Sequence, residues 1–485
     1  MSEQHTPTPA APVKPSSALV IGAGQAGGPL AGALAKAGWQ VTLVEKIHVG
    51  GTCVNEGCTP TKAMIASARA AHVARTSGAL GVHAEVRVSL PEVVDRVQGI
   101  VADFRSGSEK GVLGAGVELV YGEARFTGER QAEVTLPSGE TRTLSADYVF
   151  INTGTSPRWP KTPGLKEAGA LTSTELLMQK ELPEHLLILG GGYISLEFAQ
   201  LYARLGSHVT VVEAGAQLLP REDPDVAQAL QKVLEEEGVE FYLGTSAVRA
   251  DRAGEGVALS VRKGDGQNQT TEKQTLNGSH LLVAVGRAPN TEGLNVQATG
   301  ASLNEHGYVV VNEHLLAAER VYALGDVKGG PAFTHISYDD YRIVRDALLK
   351  GKQRPYTERP EPYTLFTDPQ LGRVGLNRAQ AMKSGRPVRV YTLPMTSVAR
   401  AIESGQTAGL MRVVVDDQTD LLLGVTVLGM EGGEIMSGLQ LAMMGGLSAS
   451  DLRDAVLAHP TLSESINNLF MGKPEVLNAA ETDQA

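Results

Sequence analysis

Two side chains in this sequence can carry redox chemistry by themselves, and no others of their type occur. Cys53 and Cys58 are the only cysteines among 485 residues, and four positions separate them. They lie in Gly50-Gly51-Thr52-Cys53-Val54-Asn55-Glu56-Gly57-Cys58-Thr59-Pro60-Thr61-Lys62. The composition beyond it predicts a helix over Ala63–Arg75, with Pro60 in its first turn, where a missing N–H leaves nothing unsatisfied. A thiol at a helix N-terminus has a lowered pKa, and the thiolate is the reactive species. Two thiols this close can join as a disulfide, and the flanking glycines free the backbone to allow it. Two buried structural cysteines are the alternative. Both falling in one glycine-rich, helix-opening segment favours a redox-active dithiol. A count of two also excludes a disulfide framework and a four-cysteine zinc site, and no metal site is expected.

The elements around this segment repeat. Ala18–Gly22 reads as an apolar strand that runs into Gly22-Ala23-Gly24-Gln25-Ala26-Gly27, then an Ala-rich helix to Gly38, then a strand Gln40–Glu45. The second copy has Leu186–Leu189, then Gly190-Gly191-Gly192-Tyr193-Ile194-Ser195, a helix to Gly206, and His208–Glu213. Each acid stands 23 positions after its first glycine, and the copies are offset by 168. A glycine turn between a strand and a helix lets backbone N–H groups approach a pyrophosphate at the helix's positive end. The terminal Glu45 and Glu213 can accept from a ribose 2′-hydroxyl. An acid repels a 2′-phosphate, so Glu213 favours NADH over NADPH. Ser195 stands where the third glycine is usual.

The remaining chain predicts a helix near Asp225–Gly238, a strand near Val239–Leu243 and β-rich segments over 244–283. Val321–Asp326 reads as a strand entering an acidic turn, followed by a helix from Ile336 to Leu349. Gln353–Pro362 reads as a linker and the segment after Lys473 as a loose tail. The fold class is α/β: two Rossmann-like dinucleotide-binding domains plus a C-terminal α+β domain. The expected boundaries are a disordered tail 1–17, a first domain over 18–155 and 284–352, a second over 156–283, a third over 363–472 and a tail 473–485. With 43 Lys+Arg against 54 Asp+Glu, the net charge of −11 excludes nucleic acid as a main partner. The 18-residue run Ala18–Ala35 is long enough to suggest a membrane span. Its five glycines and Pro29 fit the glycine turn instead, so no membrane partner is expected, and the cytoplasm, where thiols stay reduced, is the expected compartment.

The Cys53–Lys62 segment resembles the active-site signature of the class I pyridine nucleotide–disulfide oxidoreductases, the family of dihydrolipoamide dehydrogenase, glutathione reductase and mercuric reductase. The resemblance spans roughly 18–472. It implies FAD held by Gly22, Gly24, Gly27, Glu45, Thr52, Ala124, Thr153, Gly154, Thr155, Asp326, Ala332 and His335. It implies NAD(H), with NADP(H) less favoured, held by Gly190, Gly192, Tyr193, Glu213 and Gly286. Cys58 would contact the flavin as the charge-transfer thiolate, and Cys53 would exchange with substrate. Lys62 and Glu197 resemble the ion pair under the flavin. His459-Pro460-Thr461-Leu462-Ser463-Glu464 resembles the acid–base motif that reaches the other subunit of a homodimer, with Glu464 orienting His459. A histidine suits a role that takes and gives a proton near neutral pH. Thr461 and Glu464 also have the spacing of a helix capping box.

The absence of a third cysteine removes the C-terminal pairs of mercuric reductases and large thioredoxin reductases. Phe333-Thr334-His335-Ile336-Ser337-Tyr338-Asp339-Asp340-Tyr341-Arg342, with Leu393-Pro394 and Ala399-Arg400, is similar to the mercuric-reductase-like branch that includes the reactive-chlorine-resistance, cupric-reducing enzymes. The resemblance implies electron transfer from NADH through FAD and the dithiol to a small disulfide or thiophilic metal ion. The alternatives are a dihydrolipoamide dehydrogenase of a 2-oxoacid complex and a flavin-bound redox sensor without turnover.

Overall fold

The structure is a computed structural model that describes residues 14–264 and 273–477. Most of the expected N-terminal tail, 1–13, lies outside the described residues. Ser17 already belongs to a strand, and its N–H and hydroxyl donate to Asp147 at 3.0 and 2.7 Å. The chain forms two compact units. One holds residues up to Ala63 with Asp95–Arg158 and Arg287–Arg359. The other holds Met64–Val94, Trp159–Gly286 and residues from Pro360 on.

The first unit is built on a six-stranded sheet ordered Leu316–Ala318, Val321–Ala323, Tyr148–Ile151, Ser17–Ile21, Gln40–Glu45, Glu118–Tyr121, parallel except at its Leu316–Ala318 edge. Its central strands are continuous apolar runs because both faces are covered. On one face Leu43 and Phe150 pack with Leu30 and Leu34 of the helix Gly27–Lys36 and with Val344 and Leu348 of the helix Thr334–Lys350. On the other, Ile21, Val44 and Val149 pack with Phe126 and Val134 of a three-stranded antiparallel sheet. Each such side chain fully buried contributes roughly 1.5–3 kcal/mol.

The second unit repeats the motif with a four-stranded parallel sheet, Val239–Tyr242, His208–Val212, His185–Leu189 and His280–Val283 in order, and the helix Tyr193–Leu205. It also contains a six-stranded antiparallel sheet from 363 onward, backed by the helix Gly432–Gly445. The edge strand of that sheet, Glu475–Leu477, corrects the reading of everything after Lys473 as loose. Leu477 is buried and Arg378 pairs with Glu475, so packing and charge order three residues too few to show a periodicity.

Two further expectations shift. The dithiol helix runs Cys58–Thr76 and opens five residues earlier than composition predicts, because Pro60 sits comfortably within a first turn. The presumed linker is ordered through Arg359: Tyr356 donates its N–H to Glu313 at 3.0 Å, and Arg354 and Arg359 pair with Asp339 and Asp340. The long helix Leu90–Gly114 was not anticipated.

Candidate active site

The dithiol segment rests on the first glycine turn. Gly50 donates its N–H to the carbonyl of Ala23 at 2.9 Å, and the Gln25 amide returns a bond to the Gly50 carbonyl at 3.0 Å. Gly51 lies so close that a Cβ there would stand 2.7 Å from the Gly24 Cα. Cys53 sits in the short helix Gly51–Asn55 and Cys58 is the first residue of the next, with the sulfurs not joined. Arg105 locks the intervening turn through Asn55, whose amide holds the Val49 and Gly51 carbonyls. The Cys58 Sγ stands 3.4 Å from the Thr334 hydroxyl. The Cys53 thiol is pushed well above the ordinary range, first by its hydrogen bond to Cys58 and then by burial, while Thr334 and Lys62 pull the other way. Cys58 stands at a helix N-terminus, the position that favours a thiolate.

The first glycine turn fits the pyrophosphate of a dinucleotide such as FAD. Gly22 has φ +100°, and a Cβ there would stand 2.2 Å from the Asn152 carbonyl oxygen. A Cβ on Gly27 would stand 2.0 Å from the Gly22 carbonyl oxygen. Asn152 secures the turn by accepting from the Gly27 N–H at 2.7 Å and donating to the Leu324 carbonyl at 2.8 Å. Glu45 is aimed by the N–H groups of Ala23 and Ile47, at 2.8 and 2.9 Å. Next to Asn152, the buried Thr153 hydroxyl has no hydrogen-bond partner among the described residues, which leaves a polar atom for a ligand to satisfy. Asp326 accepts from the Thr155 and Ser337 hydroxyls at 3.0 and 3.3 Å, and Arg287 donates to Thr155. Thr52 is exposed on the short helix, Ala124 pairs with Val134 in the side sheet, and Gly154 has φ +67°. Ala332 and His335 flank Phe333, whose ring stacks on that of His335 at 5.5 Å.

The second turn reproduces this wiring at the same offset of 168 residues. Gly190 has φ +106°, its N–H donates to the Val212 carbonyl, and Glu213 accepts from the N–H groups of Gly191 and Gly215. The departure at Ser195 has a physical reason. Where Asn152 needs the space above Gly27, the second unit has Ala284, and the Ser195 hydroxyl donates to the Ala284 carbonyl at 3.4 Å. A shorter side chain just after one strand is matched by a longer one on the helix. Gly192 and Tyr193 open that helix, and Gly286 is exposed with φ +112°.

His459 and Glu464 are brought together: Nδ1 lies 2.8 Å from Oε2. The capping expectation is half met. Thr461 accepts from the Glu464 N–H at 3.2 Å, but the helix begins at Ser465 and the Glu464 carboxylate goes to His459. The His459 side chain is 70% exposed. Glu197 is buried and accepts the Phe366 N–H at 2.9 Å. Asn152 and the contact of Thr334 with both thiols escaped the sequence, which offers no local pattern for either. Among the described residues no cluster of three or more His, Cys, Asp or Glu could hold a metal ion, and no helix is long and apolar enough to cross a membrane.

Residues 16–340 match the family described as pyridine nucleotide-disulphide oxidoreductase, and 361–470 match its dimerisation domain. The chain is 37% identical over 459 residues to the probable pyridine nucleotide-disulfide oxidoreductase RclA of Escherichia coli, covering 93% of this chain and 98% of RclA. It is 34% identical to a dihydrolipoyl dehydrogenase of Halobacterium salinarum and 34% to a mercuric reductase of Streptomyces lividans, each over 92% of this chain and 94% of the relative. Among solved structures it is similar to the Cu(II) complex of the HOCl-induced flavoprotein disulfide reductase RclA from E. coli. That match has TM-score 0.85 and 36% identity and covers 95% and 99% of the two chains. The chain belongs to the pyridine nucleotide-disulphide oxidoreductase family, enzymes that use FAD and NAD(P)H.

Proposed function

We propose that this enzyme takes electrons from NADH and delivers them through Cys53 and Cys58 to a small disulfide or a thiophilic metal ion. The observation that carries the reading is the seating of the dithiol on the first glycine turn, with Gly51 against Gly24. In this reading 18–155 and 284–352 hold FAD through Gly22, Gly24, Gly27, Glu45, Thr153 and Asp326. Residues 156–283 hold the nicotinamide nucleotide through Gly190, Gly192, Tyr193 and Glu213, and 363–472 join two copies into a homodimer. No Lys or Arg occurs between Glu213 and Pro220 to meet a 2′-phosphate, which supports NADH over NADPH. FAD, when bound, supplies two-electron transfer between nicotinamide and dithiol.

The chain's own residues do the rest. His459 of a second copy, oriented by Glu464, takes the proton from Cys53, and the Cys53 thiolate attacks a substrate sulfur. The substrate S–S bond breaks, one thiol leaves with a proton, and a mixed disulfide remains on Cys53. The Cys58 thiolate then attacks the Cys53 sulfur, closing the Cys53–Cys58 disulfide and releasing the second half as a thiolate that takes its proton from solvent. The substrate gains two electrons and the dithiol loses them. Lys62 and Glu197 are assigned to the ion pair that the resemblance implies. The Cu(II) complex of the similar E. coli protein supports including a metal ion among the acceptors. The cytoplasm supplies both NADH and reducing conditions.

The 34% identity to a dihydrolipoyl dehydrogenase favours lipoamide as a second acceptor to test. NADH oxidation should be measured against lipoamide, glutathione disulfide, low-molecular-weight bacterial disulfides, Hg²⁺ and Cu²⁺, with NADPH compared as donor. NADH titration should bring up a long-wavelength absorbance that Cys58→Ser lacks. Absence of that band in the parent would overturn the reading. A band without turnover on any acceptor would point to the redox sensor.

A further inference from the structure

The Phe333–Arg342 run contributes Thr334 to the dithiol, which leaves its two aspartates unexplained. Asp340 is fully buried. One carboxylate oxygen accepts the Gly325 N–H at 2.8 Å and lies 3.4 Å from the Lys328 ammonium; the other accepts from Arg359 at 2.6 Å. The Lys328 and Arg359 side chains are only 3% and 4% exposed, and both cations stand over the Tyr356 ring. Arg359 is held by Asp340, Asp339 and the Ile336 carbonyl, yet its Nε and Nη2 meet no acceptor among the described residues. Burying three charges is a poor route to stability, because desolvation cancels most of their attraction. A positioning purpose accounts for them better.

That purpose is visible one residue beyond the Gly325 bond. Gly325 has φ +72°, and a Cβ there would stand 2.9 Å from the Asn152 amide and 3.0 Å from the Ser337 hydroxyl, so the turn is tightly enclosed. Asp326 follows, aligned by Thr155 and Ser337. We propose that Asp340, braced by Lys328 and Arg359, is a positioning residue that fixes the Gly325–Asp326 turn in the orientation that binds FAD. This rests on the assignment of Asp326 to FAD made above.

The test uses full-length, FAD-loaded protein. Asp340→Asn keeps the shape and one acceptor but takes the carboxylate from Lys328 and leaves Arg359 with the longer Asp339 contact alone, so the FAD dissociation constant should rise about tenfold or more while the KM for NADH stays near the parent's. Arg359→Met should weaken FAD similarly and Arg359→Lys should restore part of the affinity. Asp339→Asn, which touches neither Gly325 nor Lys328, should stay within about twofold of the parent. Where Asp340→Asn does not fold, the comparison of Arg359→Met with Arg359→Lys decides by the same measurement. Parent-like FAD affinity in Asp340→Asn, or in Arg359→Met where that pair decides, overturns the proposal alone. A parent protein that takes up no FAD overturns the reading beneath it as well.

Discussion

The hydroxyl of Thr334 stands 3.4 Å from the sulfur of Cys58 and also holds down the pKa of Cys53, so one side chain serves both thiols. A hydroxyl that donates to sulfur favours the thiolate. Thr334→Val should therefore raise the pH at which the reduced protein is alkylated and slow iodoacetamide at neutral pH roughly two- to tenfold. An unchanged pH profile would separate the hydroxyl from the thiols.

His459 and Glu464 form a pair that one chain displays on its surface. His459→Ala should lower turnover about 10²- to 10⁴-fold. Glu464→Gln, which keeps the shape but weakens the orientation of Nδ1, should cost less in the same assay. Mixing Cys53→Ser and His459→Ala subunits should recover partial activity, measured after refolding together, because in the proposed homodimer one hybrid site keeps both groups.

Arg373 and Glu222 are a buried pair with a pH signature. Burial pushes the Glu222 pKa up, and Arg373, 2.9 Å away, is the chief force opposing it. A carboxyl whose folded pKa exceeds its unfolded one adds stability when protonated, below the unfolded value. That contribution is lost as pH rises through the folded value. Arg373→Met removes the opposing charge and raises the folded value further. The variant should lose about 3–5 kcal/mol near neutral pH, and thermal melts should show the deficit shrinking as the pH is lowered.

The two glycine turns should respond differently to a single methyl. Gly27→Ala puts a Cβ against the Gly22 carbonyl and should yield protein without FAD, read from visible absorbance. A Cβ on Gly192 meets no protein atom within 4 Å, so Gly192→Ala should melt like the parent. A higher KM for NADH in Gly192→Ala would then report the approach of the nucleotide itself.

The strands Gln40–Glu45 and His208–Val212 were legible because a sheet covered on both faces writes itself as a short β-branched, mostly apolar run, here broken only by Thr42 and Thr210, after a glycine stop. The acids at their ends were legible from spacing alone. Asn152 was not: it follows a buried strand, and its partners Gly27 and Leu324 lie 125 and 172 positions away. Asp340 reads as one charge in a polar helix, and only the fold reveals that Gly325, Lys328 and Arg359 converge on it. Ser195 shows in sequence only as a small residue where a third glycine is usual; its bond to Ala284, 89 positions away, belongs to the fold.

Cys53 and Cys58 also make the molecule its own gauge. With no other sulfhydryl in the chain, exhaustive labelling of unfolded protein must add two tags to the reduced form and none to the oxidised form. A whole-protein mass measurement therefore counts the redox state of the pair directly. A population carrying one tag would be a trapped adduct, whose extra mass weighs the bound acceptor.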